Sequence, residues 1–206
     1  GGFGRGGVPF SILESMTEKG YEEITFIKND ANEPDLGIGQ LIRRNMVKHL
    51  VATHIGLNPE CIQFMNEGKI TVDLVPQGIF AEKIRAGGSG IDAFLSDIGL
   101  ETTVAKGKER ITFEDKEYLI EKSLRGDVAL LCADQADEFG NCWWKGSNRN
   151  MNPLMGLACD KVVVEAKEIV TTGSMTPENV HLPGVCVDAV VQALPRKHMQ
   201  SQEEKS

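Results

Sequence analysis

The sequence predicts an α/β fold with an open, mostly parallel sheet, flanking helices and a β-rich extension. The first observation is that segments typical of helices and of strands alternate from about residue 10 to residue 85. Parallel strands cannot be joined by tight turns, so this alternation indicates a parallel sheet whose crossovers are helices. The second observation is that the pattern becomes strand-rich after residue 110, which predicts the extension.

The first predicted helix runs from Pro9 to Gly20. Phe10, Leu13 and Met16 recur at helical spacing, and a proline at the start with a glycine at the stop is typical of helix ends. The same reasoning assigns the elements that follow. It predicts strands over 23–28, 49–54 and 70–75, alternating with helices over 39–46, 59–67 and 77–85.

Glycines and strand-rich runs organise the second half. The run Gly87-Gly88-Ser89-Gly90 is expected to break the helix that begins at Gln77. A hairpin is predicted around 114–116, strands over 127–132, 161–166 and 185–191, and a short helix over 153–159. We expect one domain over 1–194, a loose polar tail over 195–206, and a strand ahead of Gly1, because the opening glycine loop leads into a helix with no strand before it.

Composition excludes several classes of function. The chain has 206 residues and a net charge of −8, which lacks the basic footprint of a nucleic-acid-binding protein. Its longest wholly apolar run, 128–133, has six residues, whereas a membrane-spanning helix needs about 20. Five cysteines, none in a Cys-x-x-Cys pair, are typical of reduced thiols, so we expect a cytoplasmic protein without a metal site.

The opening glycine loop admits more than one interpretation. Gly2, Gly4 and Gly7 form a dinucleotide-binding pattern, and Asp30 ends the next predicted strand, where an acid would bind a ribose. An NAD-dependent oxidoreductase is one interpretation of this pattern, but such a short glycine pattern is a weak signal and the strand that should precede the loop is absent from the sequence. A non-catalytic domain of similar architecture that senses a small anion is a further alternative.

A longer pattern points to another class of protein. Gly1-Gly2-Phe3, three residues, Gly7, one residue and Pro9 together set a tight turn, a close backbone approach and a helix start. Further segments follow in order: Asn29, 35–39 (DLGIG), 75–78 (VPQG), 82–90 (EKIRAGGSG), 127–130 (DVAL) and 149–153 (RNMNP). Over about residues 1–192 this set resembles the α subunits of family I CoA-transferases, in particular 3-oxoacid CoA-transferases of the acetate or butyrate:acetoacetate type.

The resemblance implies a transferase of sulfur-containing groups with an open α/β sheet. Members exchange CoA between an acetyl-, butyryl- or succinyl-CoA and a 3-oxoacid such as acetoacetate, through a glutamyl thioester in a Glu-Asn-Gly context. This chain has only Asn66-Glu67-Gly68, in another order, and Glu178-Asn179-Val180, without the glycine. The resemblance implies that the nucleophile lies on a separate β subunit, in an α2β2 heterotetramer. Coenzyme A is the expected substrate, no cofactor is permanently bound, and the acid pair stays open.

The resemblance also implies roles for residues of this half-site. Gln77 is expected to donate a hydrogen bond to the oxygen that gains charge, with Gly78 beside it, whereas the residues alone would favour Gln77 as a helix cap. Asn29 is expected to bind the acyl substrate, and the stretch 149–153 to border the site or the β subunit. The residues expected to contact coenzyme A through closely approaching main-chain amides are Gly1, Gly2, Phe3, Gly4, Arg5, Gly6 and Gly7.

Overall fold

The computed structural model describes residues 1–194 and contains, within that range, five α-helices and ten strands. The helices are α1 (Phe10–Lys19), α2 (Ile38–Arg43), α3 (Pro59–Asn66), α4 (Gln77–Gly88) and α5 (Asn152–Leu157). The strands are β1 (Ile24–Ile27), β2 (Val47–Ala52), β3 (Thr71–Leu74), β4 (Ala93–Ser96), β5 (Arg110–Phe113), β6 (Lys116–Lys122), β7 (Gly126–Asp137), β8 (Cys142–Trp143), β9 (Cys159–Val170) and β10 (Ala189–Gln192). The expected tail, 195–206, lies outside the described residues. No helix among them is long and apolar enough to cross a membrane.

The strands form three sheets. In the first, β1, β2 and β3 lie in that order and are all parallel. The second has the order β10-β9-β7-β8, in which β10, β9 and β7 are parallel and β8 is antiparallel. The third has the order β4-β6-β5 and is antiparallel. The predicted parallel sheet with a β-rich extension is confirmed, with its parallel part divided in two.

Two hydrophobic cores cover the opposite faces of both parallel sheets. In β2, Leu50 packs into the core built with α1, α2 and α3, whereas Val51 packs into the core built with α4 and α5. Strand β7 alternates in the same way, with Leu130 facing the first core and Leu131 the second. Successive side chains of a strand point to opposite faces, so the two sheets lie in one layer between two layers of helices.

Local rules explain two elements that the sequence predicts. Helix α1 ends at Gly20, whose φ is +68° and whose N–H donates to the Met16 carbonyl at 3.2 Å, a left-handed cap that suits glycine. Glu114 and Asp115 turn the chain between β5 and β6 with φ of +48° and +61°. Such two-residue turns match the twist of an antiparallel hairpin. Both predictions are confirmed.

The expected break in α4 at its glycines is wrong. The helix continues through Gly87 and Gly88 and ends before Ser89. A Cβ on Gly87 would lie 2.1 Å from the Leu124 carbonyl oxygen, and one on Gly88 would lie 2.9 Å from the Leu157 Cβ. These two glycines therefore let the helix pack closely against neighbouring chain instead of stopping it.

A buried charge cluster fastens the antiparallel sheet to α4. Glu121 of β6 is fully buried, and its carboxylate contacts Lys83 of α4 at 2.8 Å as well as Lys108. Burial alone would raise the pKa of Glu121, but the hydrogen bonds from the two ammonium groups outweigh it and hold the pKa below its usual range. The extension is thus attached to the same helix whose first turn carries Gln77.

Candidate functional site

Two predicted site residues, Asn29 and Gln77, follow strands of the first parallel sheet at the edge where β1, β2 and β3 end. Asn29 follows β1, Thr53 follows β2, and Gln77 begins the helix after β3. The Thr53 N–H and hydroxyl both donate to the Asn29 carbonyl, at 2.9 and 2.8 Å, and the Val75 N–H donates to the Ala52 carbonyl at 2.9 Å. The carboxyl ends of parallel strands form one edge of a sheet, where ligands collect in open α/β folds.

Gln77 and Gly78 form the exposed first turn of α4 at this edge. Pro76 occupies the N-cap position and no side chain within residues 1–194 caps the helix, so the capping role that the residues alone favoured for Gln77 is wrong. The first bond of the helix runs from the Phe80 N–H to the Pro76 carbonyl at 2.8 Å. The N–H groups of Gln77, Gly78 and Ile79 therefore have no acceptor within the helix. Together with the Gln77 amide, they are donors suited to an oxygen that gains negative charge.

Asn29, in contrast to Gln77 and Gly78, is not exposed at this edge of the sheet. Its side chain is completely buried. Its Nδ2 donates to Asp30 Oδ2 at 3.3 Å, and its Oδ1 accepts from Thr53 Oγ1 at 3.4 Å. In the chain by itself the Asn29 amide thus links the ends of β1 and β2, and its contact with an acyl substrate stays a prediction.

The opening glycine loop folds into a tight turn. The Phe3 N–H donates to the Gly6 carbonyl and the Gly6 N–H donates to the Phe3 carbonyl, both at 3.0 Å. Gly2, Gly4 and Gly7 have φ of +99°, +54° and +69°, a region that residues with a Cβ rarely adopt. The loop therefore depends on its glycines, and it presents the Phe3 ring, 49% exposed, at its tip.

Asp30 and Asn32 hold one side of the glycine loop. The Gly4 N–H donates to Asp30 Oδ2 at 2.8 Å, and Asn32 Nδ2 donates to the Gly4 carbonyl at 2.8 Å. Both side chains are buried, and the Asn32 N–H donates to Asp30 Oδ1 at 2.9 Å. Asn32 has a φ of +53°, which asparagine tolerates better than most residues. The segment after β1 thus fixes the peptide groups on both sides of Gly4.

Asn150 and Asn152 hold the other side of the loop. Asn150 Nδ2 donates to the Gly6 carbonyl at 3.2 Å, and Asn152 Nδ2 donates to the Gly7 carbonyl at 3.3 Å. Asn152 is fully buried at the start of α5, and a Cβ on Gly1 would lie 1.7 Å from its Oδ1. The stretch 149–153 therefore contacts the glycine loop directly.

A buried ion pair lies beneath the loop. Lys28 Nζ donates to Asp30 Oδ1 at 3.0 Å, and the two side chains are 3% and 2% exposed. Burial alone would raise the pKa of Asp30, but the Lys28 ammonium and the N–H groups of Asn32 and Gly4 outweigh it and hold the pKa below its usual range. The carboxylate is buried and directed at Gly4, so it is not placed to bind a ribose as the NAD-dependent oxidoreductase interpretation requires.

Arg5 lies on the outer side of the loop. Its guanidinium pairs with Glu33, with Nη2 2.9 Å from Oε1, and its side chain is 64% exposed. Exposed ion pairs of this kind contribute only about 0–1 kcal/mol. The guanidinium can therefore exchange Glu33 for another anion at little cost.

We expect Gly7→Ala to destabilise the protein more than Gly4→Ala. Both positions have positive φ, which costs an alanine about 1–2 kcal/mol. A Cβ on Gly4 meets no atom within 4 Å, whereas one on Gly7 would lie 2.6 Å from the Asn148 carbonyl oxygen. Overpacking adds about 1–3 kcal/mol at Gly7. Urea unfolding of the two variants measures the difference, and equal losses would contradict the close fit of Gly7 against Asn148.

Thiol and metal chemistry have little support in the described part of the chain. The five cysteines are free. Burial raises the pKa of Cys61 and Cys132 to about 11, so their thiols stay protonated near neutral pH. Within residues 1–194, no group of three or more His, Cys, Asp or Glu side chains is placed to hold a metal ion.

The sequence is similar to known proteins over nearly its whole length. Residues 1–193 match the family model described as Coenzyme A transferase. The probable coenzyme A transferase subunit alpha of Bacillus subtilis (strain 168) is 44% identical over 194 residues, which cover 94% of this chain and 85% of the relative. The acetate CoA-transferase subunit alpha of Escherichia coli (strain K12) is 41% identical over 191 residues, 93% of this chain and 87% of the relative. The acetoacetyl-CoA:acetate/butyrate CoA transferase alpha subunit of Clostridium acetobutylicum is 39% identical over 192 residues, 93% and 88% of the two chains.

The fold is also similar to a solved structure. The acyl-CoA transferase of Escherichia coli O157:H7 superposes with a TM-score of 0.80 at 22% identity, and the match covers 92% of this chain and 42% of that chain. This likeness shows the fold, and the present chain spans less than half of that longer protein. The family model and the relatives go further, because they match the sequence itself from the glycine loop to β10. The chain belongs to the coenzyme A transferase family.

Proposed function

We propose that this chain is the α subunit of a CoA-transferase that exchanges CoA between an acyl-CoA and a 3-oxoacid such as acetoacetate. The observation that carries the proposal is the open edge of the parallel sheet, where the exposed donors of Gln77 and α4 lie. The sequence contains no Glu-Asn-Gly nucleophile. Such a half-site needs a second polypeptide to supply the attacking carboxylate.

The reaction requires hydrogen-bond donors from this half-site. The partner's glutamate carboxylate attacks the thioester carbonyl carbon, and CoA leaves as a thiolate, which produces a mixed anhydride. The thiolate then attacks the glutamyl carbonyl of this anhydride, and the first acid departs. The second acid reverses these steps and leaves with CoA. Each attack turns a carbonyl oxygen into an oxyanion. We assign Gln77 to donate its side-chain amide N–H to that oxygen, and Gly78, which has no side chain, leaves the N–H groups of α4 accessible.

The glycine loop is assigned to coenzyme A, which is a substrate and not a permanently bound cofactor. At Gly4 a Cβ would meet no atom within 4 Å, so a ligand can approach the main chain closely there, whereas Gly2 and Gly7 are buried against the protein. The Phe3 ring and the Arg5 guanidinium are exposed on the same loop. An arginine that pairs, within the described residues, with the Glu33 carboxylate at the surface suits a phosphate group of CoA.

The proposed partner is a β subunit that carries the Glu-Asn-Gly sequence, in an α2β2 assembly. The three relatives described above are all named as alpha subunits, which supports a second kind of subunit. The exposure of Gln77 and Gly78 supports a site completed by another surface. Free thiols at all five cysteines support a reducing compartment, so we assign the protein to the cytoplasm.

The proposed substrates stay at the level of a class. One relative is named for acetate and another for acetoacetyl-CoA with acetate or butyrate. Their identities to this chain, 41% and 39%, are too close to rank one acid above another. Asn29 is assigned to the acyl substrate because it follows β1 at the strand-end edge, although its amide is buried and bonded to Asp30 and Thr53 in the chain by itself.

The test is reconstitution of CoA transfer from acetyl-CoA or butyryl-CoA to acetoacetate. We expect no transfer by the chain alone and transfer when it is mixed with its β subunit. The matched control is the same mixture with the glutamate of the partner's Glu-Asn-Gly sequence changed to glutamine, which should be inactive. A stable complex without transfer for any acid tried would contradict the proposal and favour ligand sensing.

A further inference from the structure

Asp134 of β7 accepts hydrogen bonds from two neighbouring segments. Lys167 Nζ, on β9, donates to its Oδ1 at 2.7 Å, and the Lys145 N–H donates to its Oδ2 at 2.8 Å. Asn148 Nδ2 lies 3.2 and 3.3 Å from the two oxygens. A carboxylate suits this place because it only accepts hydrogen bonds, and all three groups donate. Asp134 thus fixes residues 145–150, the turn that follows β8, to the sheet.

The Asp134 carboxylate is enclosed, whereas its cationic partner is exposed. The side chain of Asp134 is 14% exposed and that of Lys167 is 53% exposed. Burial alone would raise the pKa of Asp134, but the hydrogen bonds from Lys167, Lys145 and Asn148 outweigh it and hold the pKa below its usual range. An ion pair with so exposed a lysine contributes little. The main role of the carboxylate is therefore to hold the turn.

Asn148 extends these contacts to the glycine loop. Its carbonyl accepts from Asn150 Nδ2 at 2.9 Å and from Asn152 Nδ2 at 3.0 Å. These two amides also donate to the carbonyls of Gly6 and Gly7. Asn148 packs against the loop as well, because a Cβ on Gly6 would lie 2.9 Å from its Oδ1. A shift of Asn148 would therefore displace the loop.

The turn and the loop form the two sides of one open groove. Phe3 and Gly6 line it from the loop, and Gly146, Ser147 and Arg149 line it from the turn. The asparagine bonds described above join these two sides. The position of the turn therefore sets the width of the groove.

We propose that Asp134 is a positioning residue for coenzyme A, which acts through Asn148 to hold the glycine loop in the conformation that binds this substrate. This inference rests on the proposed function, in which the loop contacts CoA. Loop contacts to CoA are present in the ground state and in the transition state alike. A loop that is held less firmly should therefore weaken CoA binding without slowing the chemical step.

Steady-state kinetics of the assembled transferase, with acetyl-CoA varied against acetoacetate, tests this role. We expect Asp134→Ala to raise KM for acetyl-CoA about tenfold, because hydrogen bonds to a charged group are lost, and to change kcat by less than about twofold. Asp134→Asn should recover most of the loss. Its oxygen can still accept from the Lys145 N–H and the Asn148 amide while the Lys167 ammonium turns into solvent.

The matched control is Asp188→Ala. Asp188 also accepts from a lysine, Lys161 Nζ at 2.7 Å, and from a main-chain N–H, that of Val162 at 2.8 Å. These partners lie near the beginning of β9, whereas Lys167 lies near its end. Asp188→Ala should therefore leave KM unchanged.

A second pair of measurements follows the path through Asn148. Asn148→Ala should raise KM as Asp134→Ala does, and the double variant should be no worse than the more severe single variant. Hydrogen exchange is measured on the peptide covering 1–13, in the chain by itself and in the complex. We expect Asp134→Ala and Asn148→Ala to speed exchange there about tenfold, and Asp188→Ala to leave it unchanged. If Asp134→Ala does not fold, Asn148→Ala and Asp134→Asn carry the test.

Unchanged exchange in the loop, or a fall in kcat without a rise in KM, would overturn the role of Asp134. Additive effects of the two variants would overturn it as well, because they would show independent roles. An Asp134→Asn variant as impaired as Asp134→Ala would assign the effect to the pair with Lys167 instead. If the unchanged chain and its β subunit form a complex that transfers no CoA, the proposed function fails, and the loop exchange still shows whether Asp134 holds the loop.

Discussion

Replacing Gln77 with alanine is expected to lower kcat of the assembled transferase about a hundredfold or more. The amide is exposed at the first turn of α4, and no side chain of the described residues caps that helix. One preorganised donor to a developing oxyanion is worth roughly 3–4 kcal/mol in a site that excludes water. Steady-state kinetics of the complex with the β subunit, with acetyl-CoA and acetoacetate, measures the loss. The loss should fall mainly on kcat, since the charge develops only in the transition state.

Two further variants show whether the amide donor itself is responsible. Gln77→Glu keeps the shape but replaces the donor with a negative charge, so it should be no more active than Gln77→Ala. Gln63→Ala removes an exposed glutamine of α3, whose side-chain amide donates to Glu67, and should keep full activity. The variant chains should unfold with unchanged stability, because neither glutamine is buried in the chain by itself. Full activity of Gln77→Ala would refute the donor role and leave the main-chain N–H groups of α4 as the alternative.

The sequence predicts the parts of the site that depend on local rules. The tight turn of residues 1–7 follows from its glycines, and the place of Gln77 at a strand end follows from the alternation of strands and helices. The direction of Asp30 is a tertiary property, because it is set by Lys28 and by Gly4, which lies 26 positions earlier. From residue type alone, Asp30 was expected to bind a ribose. In the fold its carboxylate instead accepts hydrogen bonds from Lys28 and from the Gly4 N–H.

Other residues that hold the site escaped prediction because their roles depend on long-range contacts. Asn32 carried no recognised signal, although an asparagine just after a strand is suited to the positive φ that it adopts. Asn150 and Asn152 were expected near the site only through the resemblance, and their bonds to Gly6 and Gly7 span more than 140 positions. The same limit explains the error at Gly87, where close packing against Leu124, and not helix termination, requires a glycine.

Replacing Asp30 with alanine is expected to destabilise the chain by about 3–5 kcal/mol, because it leaves the Lys28 ammonium buried without a partner. The double variant Lys28→Met, Asp30→Asn removes both charges and should recover much of the loss. Arg5→Ala, which removes the exposed pair with Glu33, is the control and should cost no more than about 1 kcal/mol. Urea unfolding at pH 7 ranks the three variants. An Asp30→Ala loss as small as that of Arg5→Ala would contradict a tightly buried pair.

The pH dependence of these variants separates the charge from the packing. The folded pKa of Asp30 lies below its unfolded value near 3.9, so the stability that it contributes is present above that pH and is lost as pH falls through the folded pKa. Acid unfolding of the double variant should therefore be less steep than that of the unchanged chain. In Asp30→Ala, burial lowers the pKa of Lys28 with no carboxylate beside it to oppose the shift. Its stability deficit should therefore shrink between pH 7 and pH 10, as the ammonium loses its proton. A deficit that stays constant over that range would indicate lost packing or lost hydrogen bonds to Gly4, because neither of those depends on the charge of Lys28.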